Sequence, residues 1–266
     1  MLEDPKSARV KGVSILQQKD ARLETGLFLL EGPQGLKELI KTPDIVQEVF
    51  ATAEALDRYP FEFEDLDAAG VSVIEVSERV MAALSDTKTP QGVVAVVEQL
   101  DVDLAAVIAN KPRLIAFLDQ ARDPGNAGTV IRAADAAGAD AVLLSRDSVD
   151  IYNPKVVRST AGSIFHLATV INQDSVTAIS ALKAAGIQVF AADAGGVPIT
   201  DISQEVLAQP TAWVFGNEAH GVSQEMLDLA DKIVALPIYG EAESLNLATA
   251  ASVCLYASAF AMQANH

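Results

Sequence analysis

The stretch that decides the fold is Leu236-Pro-Ile-Tyr-Gly-Glu-Ala-Glu-Ser-Leu-Asn-Leu-Ala-Thr-Ala-Ala251. It leaves an apolar strand through Pro237, turns at Gly240 and enters an alanine-rich helix behind Ser244 and Asn246. The first turn of a helix carries N–H groups without intrahelical partners, and small polar side chains cap them. Because the same N–H groups suit a polar ligand, the stretch predicts a strand, a turn and a helix beside a binding site.

Strands and helices alternate along the rest of the chain. Apolar runs predict four strands in the first hundred residues, at 27–30, 45–51, 71–74 and 93–97, with helices at 33–40 and 77–84. Beyond a breaker at 110–112, five further strands are predicted at 114–118, 141–144, 187–191, 212–215 and 233–236, with helices at 127–137, 175–185, 223–230 and 246–262. This alternation predicts an α/β fold: a C-terminal, mostly parallel sheet (residues 106–266) with helices on both faces, and a small N-terminal α/β domain (residues 1–105).

Composition limits the classes of function. Half of the 266 residues are hydrophobic, which is typical of a globular chain. One cysteine, Cys254, excludes an internal disulfide framework and fits a reducing cytoplasm, and three scattered histidines give a metal site little support. The N-terminus is polar, so we expect no signal peptide, and no apolar run approaches the length of a membrane span, so we expect no membrane association.

The charge is uneven. A formal net charge of −17 argues against non-specific attraction to nucleic acid. Seven of the 19 basic residues nevertheless fall within the first 41 positions: Lys6, Arg9, Lys11, Lys19, Arg22, Lys37 and Lys41. A polyanion would therefore meet the N-terminal part and a few central arginines, but on charge alone a solvated surface is the better explanation.

Two other polar turns follow apolar strands. Residues 123–132, Asp-Pro-Gly-Asn-Ala-Gly-Thr-Val-Ile-Arg, open a helix in which Asn126 is a suitable N-cap and Arg132 lies off the apolar stripe. Residues 214–223, Val-Phe-Gly-Asn-Glu-Ala-His-Gly-Val-Ser, place Glu218 in a strand-to-helix loop. A capped helix with one exposed arginine and an ordinary loop account for most of this, but they give no reason for Glu218.

Phosphate-binding signatures are scarce. Lys155 and Arg158, in the segment 152–166, have the chemistry for charge-assisted bonds to phosphate, although a solvated helix end is almost as good an explanation. The chain has neither a Gly-x-Gly-x-x-Gly after a strand nor a Walker-type loop. A nucleotide-binding oxidoreductase is therefore poorly supported.

The three turns together resemble the motifs of the SpoU/TrmH family of RNA ribose 2'-O-methyltransferases, within the SPOUT superfamily. The similarity covers residues 113–262, in the family's motif order and spacing. The N-terminal part resembles, through Arg22 and the run 28–32, the small α/β RNA-binding domain fused to such enzymes. The resemblance implies a deep C-terminal trefoil knot that binds S-adenosylmethionine (AdoMet), a homodimer through the knotted domain, and an RNA substrate. Ribosomal RNA (23S) is favoured over transfer RNA.

The resemblance also implies roles for individual residues. The catalytic residues would be Arg132, Asn126, Glu218, Ser244 and Asn246. The cofactor would be bound by Gly216, Asn217, Glu218, Leu236, Pro237, Ile238, Ser244, Asn246 and Leu247. RNA would be bound by Arg158, Lys155, Arg22 and Arg9, and no metal is implied. Because the pKa of a guanidinium lies above about 12, we expect Arg132 to stay charged and stabilise the developing alkoxide rather than act as a base.

Two other functions stay open from the sequence. One is a non-catalytic RNA-binding or ribosome-assembly factor that retains the fold, which the complete set of motif residues disfavours. The other is methylation of a base rather than a ribose. The target nucleotide, and whether the role is housekeeping or antibiotic resistance, do not follow from the sequence.

Overall fold

The computed structural model describes residues 1–264. The chain folds into two compact units, and the first is not continuous in sequence. Unit 1 comprises residues 1–99 and 150–162, and unit 2 comprises the remaining described residues, 100–149 and 163–264. The sequence analysis had assigned 150–162 to the C-terminal domain, so the structure corrects the position of this segment.

Unit 1 is built on a four-stranded mixed sheet in the order β1-β4-β2-β3, in which only β2 and β3 are parallel. Its strands are β1 (Leu27–Glu31), β2 (Val46–Thr52), β3 (Val73–Val76) and β4 (Val93–Glu98). Its helices are α1 (Ala8–Ser14), α2 (Lys19–Thr25), α3 (Leu36–Lys41), α4 (Ala53–Arg58), α5 (Pro60–Ala68), α6 (Glu78–Leu84) and α9 (Pro154–Thr160). All four strands and both helices predicted for this part are present, within a few residues at their ends.

The segment 150–162 is held in unit 1 by buried groups. Tyr152 is 1% exposed and its ring contacts Phe28 of β1 at 4.9 Å between centroids. Asp150 accepts hydrogen bonds from Arg22 of α2, at 3.0 Å from Nε and 2.6 Å from Nη2. The segment is therefore part of the packing of unit 1 rather than a surface loop.

Unit 2 is built on a six-stranded, fully parallel sheet in the order β10-β8-β9-β5-β6-β7. Its strands are β5 (Leu114–Leu118), β6 (Ala141–Ser145), β7 (Ala168–Gln173), β8 (Gln188–Pro198), β9 (Thr211–Phe215) and β10 (Lys232–Ala235). Its helices are α7 (Leu104–Ala109), α8 (Pro124–Ala136), α10 (Ser175–Ala184), α11 (Gln204–Leu207), α12 (Gln224–Leu229) and α13 (Leu247–Ala264). The predicted parallel α/β sheet is confirmed, and β7 is the one strand that the sequence analysis missed.

Burial explains these elements. The central strands β5 and β9 are buried at every residue, which is why they are continuous apolar runs. The helices begin behind side-chain caps: Asp123 accepts from the backbone N–H of Asn126 at the start of α8, and Ser223 caps α12. Asp123, and not Asn126 as predicted, is thus the N-cap of α8, and the Asn126 amide is left for other contacts.

The C-terminal helix α13 is long and apolar enough, by length and composition alone, to cross a membrane. In the structure its residues Cys254 and Ser258 are fully buried, and Ser258 accepts a 3.0 Å hydrogen bond from the indole N–H of buried Trp213 in β9. Its apolar character is therefore explained by packing against the sheet of unit 2.

Candidate active site

The three polar turns singled out in the sequence meet at one edge of the unit 2 sheet. They follow the carboxyl ends of β5, β9 and β10, and in the sheet β9 lies between β5 and β8, with β10 beyond β8. Ligands of open parallel sheets bind at this edge, most often where the strand order reverses. Sheet order therefore brings together residues that are 120 positions apart in the chain.

A chain of hydrogen bonds connects the turns. The amide of Asn246 donates from Nδ2 to Oδ1 of Asn126 at 2.9 Å, and Nδ2 of Asn126 donates to Oε1 of Glu218 at 3.3 Å. Oδ1 of Asn246 also accepts from the backbone N–H of Ala248 at 2.9 Å, so Asn246 caps α13 while it reaches Asn126. Each of the three motifs thus contributes one side chain to a single polar network.

Glu218 is the acceptor at the end of this network. Its carboxylate also accepts the backbone N–H groups of Arg122 (3.1 Å) and Asp123 (3.0 Å), which fixes the loop before α8. Burial alone raises the pKa of Glu218, but the N–H groups of Arg122, of Glu218 itself and of Asp123, with the Asn126 amide, outweigh it and hold this pKa below its ordinary value of 4.5. Glu218 is therefore a negatively charged anchor at neutral pH rather than a proton donor.

A cleft of about 290 Å³ adjoins the network. Its lining includes the apolar residues Phe215, Val234 and Ala250 and the polar residues Glu218 and Ser244. The backbone is tightly packed here: a Cβ on Gly216 would lie 2.1 Å from the carbonyl oxygen of Gly221. A cleft lined by both apolar and polar residues suits an amphipathic ligand.

Comparison with known proteins identifies the family of the chain. The sequence pattern of the SpoU rRNA Methylase family matches residues 113–256, which is more than half of the chain. The chain belongs to the SpoU rRNA methylase family. Residues 7–95 match a second family model, the MRM3-like substrate binding domain.

The chain is similar to SpoU-type enzymes over nearly its full length. It is 36% identical to the 23S rRNA (guanosine(2553)-2'-O)-methyltransferase RlmP of Bacillus subtilis, over 96% of this chain and 97% of that protein. It superposes on an AdoMet-bound rRNA methyltransferase from Sinorhizobium meliloti with a TM-score of 0.84 at 31% identity, covering 97% and 96% of the two chains. The SpoU methyltransferase AviRb of Streptomyces viridochromogenes, in complex with AdoMet, gives a TM-score of 0.83 at 29% identity, covering 98% of this chain and 100% of that one.

The cleft of this SpoU family member contains most of the predicted cofactor residues. Its lining includes Gly216, Asn217, Glu218, Leu236, Ile238, Ser244 and Leu247. Pro237 and Asn246 are not among the lining residues, although both lie in the same segment. The predicted cofactor set is therefore brought together, with these two at its border.

Arg132 lies apart from the network. It is exposed on α8, six residues after Asn126, and is not among the residues that line the cleft. Six residues turn a helix by about 600°, which leaves the two side chains about 120° apart around the axis. Within one chain, the structure therefore does not place Arg132 beside Asn126, Glu218 and Asn246.

Among the predicted RNA contacts, Arg22 is corrected. It is 2% exposed. Its guanidinium donates hydrogen bonds to the carboxylate of Asp150 and, from Nη1 at 2.8 Å, to the carbonyl oxygen of Leu16. A buried guanidinium with these partners has a packing role and does not reach a phosphate in this structure.

The other three predicted RNA contacts are accessible to different degrees. Lys155 is exposed at the start of α9, and exposed Arg9 pairs with Glu48. Arg158 is 29% exposed and bridges Glu31 (3.3 Å) and Asp86 (2.8 Å). These sites stay proposals, and Arg158 would have to exchange carboxylate partners for phosphate.

Sequence reasoning missed two parts of the site. The first is residues 192–194, which line the cleft after leaving the β8–β10 ladder. The second is an adjoining cavity of about 610 Å³ between the β5 and β9 loops, lined in part by Gln120, Arg122 and His220. Gln120 has a φ of +57°, uncommon for a non-glycine residue, and its carbonyl oxygen accepts from Nδ2 of Asn217 at 2.8 Å. Neither feature has a local sequence pattern that would have predicted it.

Proposed function

We propose that the protein is an AdoMet-dependent methyltransferase that modifies a ribose 2'-hydroxyl of 23S rRNA. The observation that carries the proposal is the Asn246–Asn126–Glu218 network at the border of the cleft. It is supported by full-length similarity to proteins named as 23S rRNA 2'-O-methyltransferases. We found nothing that favours a non-catalytic role. Its proposed place of action is the cytoplasm.

The residues that line the cleft suit AdoMet in their chemistry. Apolar Phe215, Val234 and Ala250 suit the adenine ring, and the polar lining residues suit the polar parts of the cofactor. Bound there, AdoMet supplies a methyl group that its sulfonium charge has already activated. We propose the nine residues named from the resemblance as the cofactor set, with Pro237 and Asn246 acting from the border.

The two asparagines are suited to hold the ribose. Each amide nitrogen has two N–H donors, and the structure uses one on Asn246 and one on Asn126. One donor on each amide therefore stays available for a ribose oxygen, next to the cleft. Glu218 orients the Asn126 amide, and Ser244 is one of the residues that line the cleft. This pre-positioning is the main contribution that we assign to them.

We assign stabilisation of the developing alkoxide to Arg132, which stays protonated while the hydroxyl proton passes to solvent. Since Arg132 points away from the network of its own chain, we propose that it completes the site of a second copy in a homodimer. The exposed apolar side chains of α13 support such an interface: Val253 is 45% and Phe260 67% exposed, and the Phe260 ring contacts Tyr256 in a tilted arrangement. A trefoil knot at the cofactor site, as in the family, is part of the same proposal.

We propose residues 1–105 as the RNA substrate-binding domain, with Arg9, Lys155 and Arg158 as phosphate contacts. The match to a substrate binding domain supports this division. The segment 150–162 belongs to the same unit, so a truncation that removes residues 1–105 would expose Tyr152 and Val156. Point variants such as Lys155→Ala are therefore the cleaner test of RNA binding.

The decisive experiment is methylation of 23S rRNA from cells that lack the gene, with labelled AdoMet and mapping of 2'-O-methyl positions. We expect one new ribose methyl with the wild-type protein and none with Asn126→Ala, Arg132→Ala or Asn246→Ala. Asn110→Ala, an exposed change after α7, serves as the matched control. A methylated base instead of a ribose, or normal turnover in the three variants, would refute the assignment. The molar mass of the protein in solution, measured by light scattering, tests the dimer.

A further inference from the structure

The cleft has an unbalanced charge. Its lining contains three carboxylates, those of Asp193, Glu218 and Glu243. Within the described chain, no lysine or arginine is among the lining residues. A ligand bound there experiences a negative potential, and the strength of that potential depends on how each carboxylate is screened.

Asp193 is placed in the cleft by an irregularity of the sheet. The β8–β10 ladder passes from the pair Ala191–Ile233 directly to Val197–Val234, so residues 192–196 leave the ladder. Gly196 makes this possible, because a Cβ there would lie 2.4 Å from the backbone of Ile233. The excursion directs the Asp193 segment to the carboxyl edge of the sheet, where the cleft lies.

Asp193 and Gly221 both line the cleft. Oδ1 of Asp193 accepts the backbone N–H of Gly195 at 2.9 Å. Oδ2 lies 3.4 Å from the point that a Cβ on Gly221 would occupy, so the carboxylate and this glycine are neighbours in the lining.

The three carboxylates are not equivalent. Glu218 is engaged by two backbone N–H groups and an amide, whose dipoles offset part of its field. Glu243 lies in an exposed segment, where water and salt screen it. Asp193 is half-buried, and in residues 1–264 it forms no ion pair with a lysine or arginine. It is therefore the carboxylate whose charge acts most strongly on a bound ligand.

We propose that Asp193 is a specificity-determining residue that makes the cleft prefer the cationic methyl donor to its neutral product. This rests on the proposed function. In the transfer, the carbon–sulfur bond breaks and its electron pair stays on sulfur, while an oxygen–carbon bond forms and the hydroxyl proton leaves. AdoMet, with net charge +1, thereby becomes S-adenosylhomocysteine, with net charge 0. The attraction to Asp193 is lost at that step, which favours exchange of product for fresh donor.

The test is equilibrium binding by calorimetry, which requires no RNA and no turnover. Three probes are used: AdoMet, S-adenosylhomocysteine, and sinefungin, which carries an ammonium in place of the sulfonium. For Asp193→Asn we expect the Kd of AdoMet and of sinefungin to rise about tenfold, because the variant removes one unit charge from the lining of the cleft. The Kd of S-adenosylhomocysteine should change less than about twofold.

Two control variants separate charge from shape. Asp193→Glu keeps the charge and should retain most of the preference for AdoMet. Asp228→Asn removes one charge from α12, outside the cleft lining, and should leave all three Kd values unchanged. For the wild-type protein, raising the salt from about 50 mM to about 500 mM should weaken AdoMet binding more than product binding, a readout that survives even if a variant misfolds.

The outcomes are distinct. If Asp193→Asn weakened the binding of all three probes equally, Asp193 would contact the adenosyl group that they share, and the proposal would be overturned. Unchanged affinities, or a wild-type salt response equal for the donor and the product, would overturn it as well. Failure of the wild-type protein to bind AdoMet at all would instead refute the proposed function.

Discussion

Replacing Glu218 by glutamine should lower the rate of methyl transfer about thirtyfold while the protein stays folded. The carboxylate accepts from Asp123 N–H and the Asn126 amide on one oxygen and from Arg122 N–H on the other. A glutamine has one acceptor oxygen and one donor nitrogen. Its best orientation keeps the oxygen toward Asp123 and Asn126 and turns its NH₂ group against the Arg122 N–H.

The magnitude follows from these contacts. A hydrogen bond to a charged acceptor contributes about 1.5–3 kcal/mol and a neutral one about 0.5–1.5 kcal/mol. The variant loses one charged bond and weakens two others, but Glu218 is exposed enough for water to take over part of the loss. We therefore expect a net cost of about 2 kcal/mol in positioning Asn126, which corresponds to about thirtyfold in rate.

The assay is kcat/KM for transfer from labelled AdoMet to 23S rRNA, with far-UV circular dichroism as a check of folding. Glu64→Gln, the same change at an exposed position of α5, is the control and should be silent. A rate within about twofold of wild type in Glu218→Gln would show that the network is not what positions the ribose. Equal losses in Glu218→Gln and Glu64→Gln would show that overall charge, and not the network, is responsible.

The same contacts set the acid limit of the site. Folding lowers the pKa of Glu218 below 4.5, so its stabilising contribution is complete above that ordinary value and is lost as the pH falls through the lower folded value. AdoMet binding should therefore persist at about pH 5 and weaken only in more acidic solution. In Glu218→Gln this acid dependence should be reduced, and an unchanged pH profile in the variant would argue against it.

Three further predictions concern the interior. Arg22→Met leaves the partly buried Asp150 carboxylate without its cation, and we expect a loss of about 3 kcal/mol in urea unfolding, the lower end for a broken buried ion pair; a loss under about 1 kcal/mol would be the contrary result. Trp213→Phe and Ser258→Ala each leave one buried polar group without its partner, and each should lower the free energy of unfolding by about 1–3 kcal/mol. The double variant should lose less than the sum of the two single losses, and strict additivity would contradict the 3.0 Å hydrogen bond. Burial raises the pKa of Cys254 to about 12, so a thiol reagent should label it only after unfolding, and rapid labelling of the native protein would show that α13 opens.

Some elements were predictable from the sequence because their signal is local. Strand β5 is predicted to the residue, since a fully buried strand bounded by Arg113 and Asp119 is one unbroken apolar run. Strand β7 is missed because it lies at the sheet edge, where several of its residues are only partly buried and polar. The predicted role of Arg22 is wrong for a related reason: a charged residue is taken as a surface residue unless its partner is known, and that partner is 128 residues away.

By itself, then, the sequence determined the α/β class, the parallel sheet of unit 2 and the three turns that carry the chemistry, because hydrophobic period and helix caps are properties of neighbouring residues. Only the tertiary structure decided which of those residues meet. Sheet order placed Asn246 against Asn126, 120 residues away in the chain. A break in one ladder brought Asp193 into the cleft, although nothing near it in the sequence marks it. Contacts of this kind depend on how distant strands are ordered, and no local pattern specifies that order.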